Sequence, residues 1–149
     1  MNTVFFYLSG AMTMIWGIAH LFPTKNVIKN FGDISIDNKR IITMEWIIEG
    51  VSLIFIGMLT ILITSTDNSN KVSRVVYLSI IVMLVTLSII SFFTGFKVRF
   101  LPYKLCPVIF LTSAILILLG LIWSLRTLTL GIVMYLMTLK ILQGKRKVL

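Results

Sequence analysis

The chain has 149 residues, of which 58% are hydrophobic and only 13% are charged, and its mean hydropathy is +1.02. Soluble domains contain about 45–50% apolar and about 25% charged residues, so this composition excludes an ordinary soluble protein and predicts a membrane protein. The net charge of +9 does not point to nucleic acid, because the 14 Lys and Arg residues lie almost entirely between hydrophobic runs, as loop charges do in membrane proteins. We expect the lipid bilayer as a partner, and no nucleic acid.

No linker or low-complexity tract interrupts the sequence, which predicts a single transmembrane domain over residues 1–149. Cys106 is the single cysteine, so we expect neither an intrachain disulfide nor a metal-thiolate motif. The N-terminal run lacks a basic n-region and a clear cleavage site, and it is long enough to cross a bilayer. We interpret it as a retained helix, and we predict no cofactor for the chain.

The first predicted helix covers residues 3–22, and its small and polar residues share one face. Gly10, Thr13, Gly17 and His20 recur at helical spacing. Small residues let membrane helices approach closely, so we interpret this face as the packing side. His20 is therefore expected to point into the bundle.

A polar segment follows, and it contains a short apolar cluster formed by Val27, Ile28 and Phe31. Such a cluster predicts a short helix at the membrane interface. Gly32 is the expected left-handed cap at its end, since glycine adopts a positive φ without steric cost.

The second predicted membrane helix covers residues 41–64. Asp37 or Asn38 is the expected N-cap, because both side chains accept hydrogen bonds from the free N–H groups of a first turn. Gly50 and Gly57 lie one heptad apart and predict a second edge for close helix packing.

Two further hydrophobic runs predict helices over residues 75–96 and 105–123, and the C-terminal run 127–142 has two interpretations. Small and polar residues keep one helical phase from Gly120 to Thr138, which favours a single long helix. The basic residues favour a separate fifth span, because five crossings place eleven Lys and Arg on one side and three on the other, whereas four crossings place seven on each. We predict an all-α bundle with four transmembrane helices and a fifth C-terminal one. Its expected place is the cytoplasmic (inner) membrane, with the N-terminus outside and the C-terminus cytoplasmic.

Two carboxylates lie inside the second predicted span. Glu45 and Glu49 are four residues apart, so they lie towards the same side of a helix, about 6 and 12 Å below its start at about 1.5 Å per residue. An ionisable group inside a bilayer is costly and marks a candidate site. In the predicted topology His20, Tyr103 and Lys104 enter the same cytoplasmic half. The sequence thus predicts a protonatable His/Glu layer that binds a ligand or protons.

The same residues also have a purely structural interpretation. Glu45 is shallow enough to pair with Lys104 or Arg99, and a protonated Glu49 would donate a hydrogen bond across a helix contact. His20 suits the negative end of a helix dipole and would serve as a cap. One His and two Glu are acceptable zinc or iron ligands, but the Glu-x-x-His spacing of di-iron bundles is missing, and we predict no metal.

A compact bundle of about four helices with a polar group near the end of the first resembles the small DoxX-like membrane proteins. The resemblance covers residues 3–123 and is one of architecture, so it transfers no catalytic residue. It implies a connection with quinone-associated redox steps, and a fifth span departs from its plan. Four-helix sterol-isomerase-like proteins, which place His and Glu in a membrane cavity, are similar in residue types only.

Three functions remain open from the sequence. The first is a non-enzymatic membrane protein that binds a small apolar ligand, lipid or protons at the His/Glu layer. The second is a small membrane enzyme that uses Glu49 or His20 for proton transfer to an apolar substrate. The third is a structural subunit of a membrane complex, with a membrane protein as partner. A cavity beside Glu49 favours the first two, and a filled interior favours the third.

Overall fold

The computed structural model describes residues 3–67, 70–98 and 101–146, and beyond Trp123 it describes the side chains of Thr129, Tyr135 and Met137 only. These residues form five α-helices: α1 (Val4–Leu21), α2 (Thr24–Lys29), α3 (Ile36–Thr66), α4 (Lys71–Gly95) and α5 (Leu101–Arg146). Four segments, namely α1, α3, α4 and the Leu101–Trp123 part of α5, are long and apolar enough to cross a membrane. The predicted all-α class with four long apolar helices is confirmed.

Both α3 and α4 begin before the hydrophobic runs start, because a polar cap lies upstream of each. The Ser35 hydroxyl accepts a hydrogen bond of 3.2 Å from the Asn38 N–H, and the Asn70 side chain accepts one of 2.8 Å from the Ser73 N–H. Each satisfies an N–H group that has no partner within its helix. The cap of α3 is therefore Ser35, and the prediction of Asp37 or Asn38 is wrong, since both lie in its first turn.

The short helix expected after the first span is present as α2. Val27 and Ile28 are buried on it, and α2 packs against α3. Gly32 has a φ of +72°, the left-handed conformation predicted for it, but the residue that caps α2 is Asn30, two positions earlier. The chain thus folds back over the end of the bundle at which α1 ends and α3 begins.

Glycines bring the backbones of α1 and α3 into direct contact at two levels. A Cβ atom on Gly57 would lie 2.5 Å from the carbonyl oxygen of Gly10. A Cβ atom on Gly17 would lie 2.8 Å from the carbonyl oxygen of Gly50. No side chain fits between such backbones, so the two helices meet along edges made of small residues.

The helices are arranged in the order α3, α1, α5, α4. The most extensive contacts join α1 with α3 and α4 with α5, and α1 also packs on α5, whereas α3 and α4 touch only slightly. Phe6, Leu53, Tyr77, Leu84, Phe110 and Ile117 fill the core.

Hydroxyl groups add hydrogen bonds inside this apolar core. The Ser9 hydroxyl donates to the Ser113 carbonyl oxygen at 2.9 Å, and the Thr13 and Ser113 hydroxyls lie 3.1 Å apart. The Thr64 and Tyr77 hydroxyls form a 2.9 Å hydrogen bond between α3 and α4. These bonds fix the register of neighbouring helices where lipid offers no alternative partner.

The C-terminal third differs from the arrangement that the charges favoured. α5 continues for 46 residues, a length of about 69 Å at about 1.5 Å per residue, and the hydrocarbon core of a bilayer is about 30 Å thick. Residues 127–142 therefore continue the helix that contains 105–123, in the phase of the small residues, and the described residues show no separate fifth span.

Candidate functional site

His20 lies in the last turn of α1, on the buried face that also carries Thr13 and Gly17. The residue is only 6% exposed, so it points into the bundle as the sequence predicts. The contact between Gly17 and Gly50 lies one turn from it and holds α1 against α3. The imidazole ring is thereby placed against the first half of α3.

Trp46 of α3 contacts His20 in two ways, through its ring and through its backbone. The two rings are stacked, with centroids 3.8 Å apart and an interplanar angle of 17°. The indole N–H of Trp46 also donates a 2.8 Å hydrogen bond to the backbone carbonyl oxygen of His20. Carbonyl groups in the last turn of a helix have no partner within it, so the indole stabilises the end of α1 and holds His20 in place.

Glu49 lies one turn further along α3 and faces the free edge of the imidazole. His20 Nε2 is 3.4 Å from Glu49 Oε2, and the two side chains are 4% and 38% exposed. Nε2 itself is buried and has no hydrogen bond of good geometry among the described residues. The two groups are thus close enough to share a proton after a small side-chain rotation, and the carboxyl group is the one that reaches the outside of the bundle.

The wall beside this pair comes from α1 and α5. The indole N–H of Trp16, one turn before His20, is buried, and the Cys106 thiol lies close to it. Tyr103 lies edge-on to Trp46, with ring centroids 5.6 Å apart.

Two other residues predicted for the His/Glu layer, Glu45 and Lys104, form no ion pair with His20 or Glu49. Glu45 is exposed and makes no ion pair with a described residue. Lys104 is half-buried and likewise has no carboxylate within 4.0 Å in the described part of the chain. Arg99 lies outside the described residues. The constellation is therefore His20 and Glu49, with Tyr103 joined to them through Trp46.

Trp46 was not singled out from the sequence as part of the site. A signal was present, since Trp46 lies three residues before Glu49 and four before Gly50. Residues three and four apart are neighbours on a helix surface, so Trp46 shares the side of α3 on which the close-packing glycine lies.

A pocket of about 350 Å³ adjoins this constellation at the same end of the bundle. Tyr103 contributes to both, since it lines the pocket and contacts Trp46. Among the described residues, no three His, Cys, Asp or Glu side chains lie close enough together to hold a metal ion.

No protein-family model, curated protein or solved structure matches this chain. The architectural resemblance to DoxX-like proteins stays a prediction.

Proposed function

We propose that this protein is a non-enzymatic, multi-pass membrane protein whose His20–Glu49 pair binds and releases a proton. The observation that carries this proposal is the 3.4 Å approach of His20 Nε2 to Glu49 Oε2, made by a buried nitrogen that has no other described partner. Buried polar atoms in folded proteins are nearly always hydrogen-bonded. A proton placed between these two atoms supplies the missing bond.

The position of each partner gives the pair a direction. Glu49 is 38% exposed and His20 is nearly enclosed, so the carboxyl group is the partner that reaches the surface of the bundle. A change in the protonation of His20 then affects the contact between α1 and α3, because its ring is stacked on Trp46 and its carbonyl oxygen accepts the indole hydrogen bond. Protonation of the pair is thereby coupled to the packing of the C-terminal end of α1 against α3.

The charges near the helix ends support a cytoplasmic position for this end of the bundle. Seven basic residues flank the spans here: Lys25, Lys29, Lys39, Arg40, Lys97, Arg99 and Lys104. At the opposite end Lys71, Arg74 and Arg126 lie near the spans. Lys140 and the basic residues after it lie about 17 residues or more beyond Trp123, at or past the range of about 15–20 residues in which charges set orientation. With four crossings, both termini then lie outside.

Fluorescence of Trp46 tests the proton site directly. In a variant with Trp16→Phe and Trp123→Phe, Trp46 is the only emitting indole, and a protonated imidazole stacked on it quenches its emission. We expect a pH transition in detergent and in vesicles. Glu49→Gln, which keeps the shape and removes the titrating group, moves the midpoint of that transition.

Glu45→Gln is the matched control, because it removes the same charge from the same helix at an exposed position one turn away. It is expected to leave the transition unchanged. A Trp46 emission that does not respond to pH, or an equal response in both glutamine variants, would refute the proton site.

A further inference from the structure

The pocket of about 350 Å³ lies between α2 and the connection from α4 to α5. Its wall is mostly apolar and comes from three segments, with lining residues Val27, Asn30, Phe31, Thr94, Gly95, Val98 and Tyr103. The volume is at the lower end of the range of about 300–1,000 Å³ found for ligand pockets. A pocket of this volume holds only a short, partly apolar part of a larger ligand.

The pocket lies at the depth of the membrane surface. α1 ends at Leu21, α4 ends at Gly95 and α5 begins at Leu101, so three spans terminate around it. Phe31 and Val98, which line the pocket, are 49% and 39% exposed. An apolar wall that opens at this depth is within reach of the first carbons of lipid chains and of the headgroup above them.

Three lysines lie next to lining residues of the pocket in the sequence. Lys29, Lys97 and Lys104 each adjoin a lining residue in the sequence, and they belong to three different segments of the chain. None of the three makes an ion pair with an acidic residue in the described part of the chain. Asp33, in the loop after α2, is the nearest acidic residue along the chain to Phe31, and it leaves the surroundings positive.

We propose that this pocket binds an anionic phospholipid. The lysines attract the phosphate group, Asn30 offers amide hydrogen-bond donors, and the glycerol and first chain carbons pack against Val27, Phe31 and Val98. Basic pockets between membrane helices are suited to anionic headgroups. The inference does not depend on the proton site, because neither His20 nor Glu49 lines the pocket.

The apolar wall distinguishes a lipid from a free anion. A phosphate ion gains only from the charge of the lysines, whereas a phospholipid also covers the apolar wall of the pocket and shields it from water. Zwitterionic phospholipids fit the wall but gain no net attraction from the surrounding charge. The pocket should therefore favour an anionic lipid over both.

Native mass spectrometry of the delipidated full chain measures this preference. Phosphatidylglycerol and phosphatidylcholine with identical acyl chains are the probes, and we expect tighter binding of phosphatidylglycerol. Lys29→Gln with Lys97→Gln should weaken that binding about 25-fold, because each basic residue near an anionic surface contributes a factor of about five. Lys71→Gln with Arg74→Gln removes two charges from the opposite end of α4 and should leave the affinity unchanged.

A second variant tests the pocket rather than the charge. Thr94 is exposed and lines the pocket, so Thr94→Phe fills it without altering any charge, and it should abolish the preference for phosphatidylglycerol. Glu49→Gln should retain it, which separates this inference from the proton site. The proposal would be overturned if the two lipids bound equally, or if both double variants lost the same affinity for phosphatidylglycerol. Full competition by millimolar inorganic phosphate would also overturn it.

Discussion

Replacing Gly57 by alanine tests whether the backbones of α1 and α3 meet at their glycines. An added Cβ atom would lie 2.5 Å from the Gly10 carbonyl oxygen and 2.6 Å from the Met14 backbone nitrogen. Both atoms belong to the backbone of α1, so no side-chain rotation relieves the overlap. An ordinary contact of 3.4 Å or more requires the two helices to move apart by about 1 Å, and a gap of about 0.5–1 Å forfeits a quarter to a half of each dispersion contact along the interface.

The expected net loss is about 2 kcal/mol. Overpacking a filled site costs about 1–3 kcal/mol, and the rigid backbone neighbours place this one at the upper end. The higher helix propensity of alanine offsets about 1 kcal/mol. The free energy of unfolding in mixed micelles, titrated with a denaturing detergent, measures the difference.

Gly50→Ala is the matched comparison on the same helix. Its nearest neighbour is Leu21 Cδ2, at 2.5 Å from the added Cβ atom, which is the end of a flexible side chain, and the nearest backbone atom is 3.2 Å away. We expect a loss of less than about 1 kcal/mol, since the leucine can rotate and alanine favours the helix. A Gly57→Ala protein as stable as the wild type, or less affected than Gly50→Ala, would show that α1 and α3 do not meet at these glycines.

Trp46→Phe keeps a ring against His20 but loses the indole hydrogen bond, so the free energy of unfolding should fall by about 1–2 kcal/mol. Thermal or detergent titrations measure this change, and an unchanged stability would mean that the indole does not cap α1. Tyr77→Phe removes the hydroxyl that is hydrogen-bonded to Thr64 and should lower the free energy of unfolding by about 1 kcal/mol in the same titrations. A variant as stable as the wild type would contradict that hydrogen bond. Accessibility labelling at the two chain ends should place both on one side of the membrane, whereas labelling on opposite sides would restore a fifth crossing.

The sequence was sufficient for the class of the protein and for the faces of its first helices. Runs of about 20 apolar residues fix where helices cross a bilayer, because unsatisfied backbone groups are too costly in lipid to allow anything else. The recurrence of Gly10, Gly17 and His20 on one face also follows from helical geometry alone. Helix starts were less accurate, since Ser35 and Asn70 lie among polar residues where hydrophobicity gives no signal.

Only the tertiary structure decided which acid joins the histidine. Glu45 and Glu49 lie on the same side of α3 by their spacing, yet four residues turn a helix by about 400°, which leaves about 40° between them. That angle, with a shift of about 6 Å along the axis, leaves Glu45 exposed and brings Glu49 to His20. Spacing within one helix fixes relative directions, but the rotation of that helix against its neighbours is set by contacts between helices, here between Gly17 and Gly50 and between Trp46 and His20.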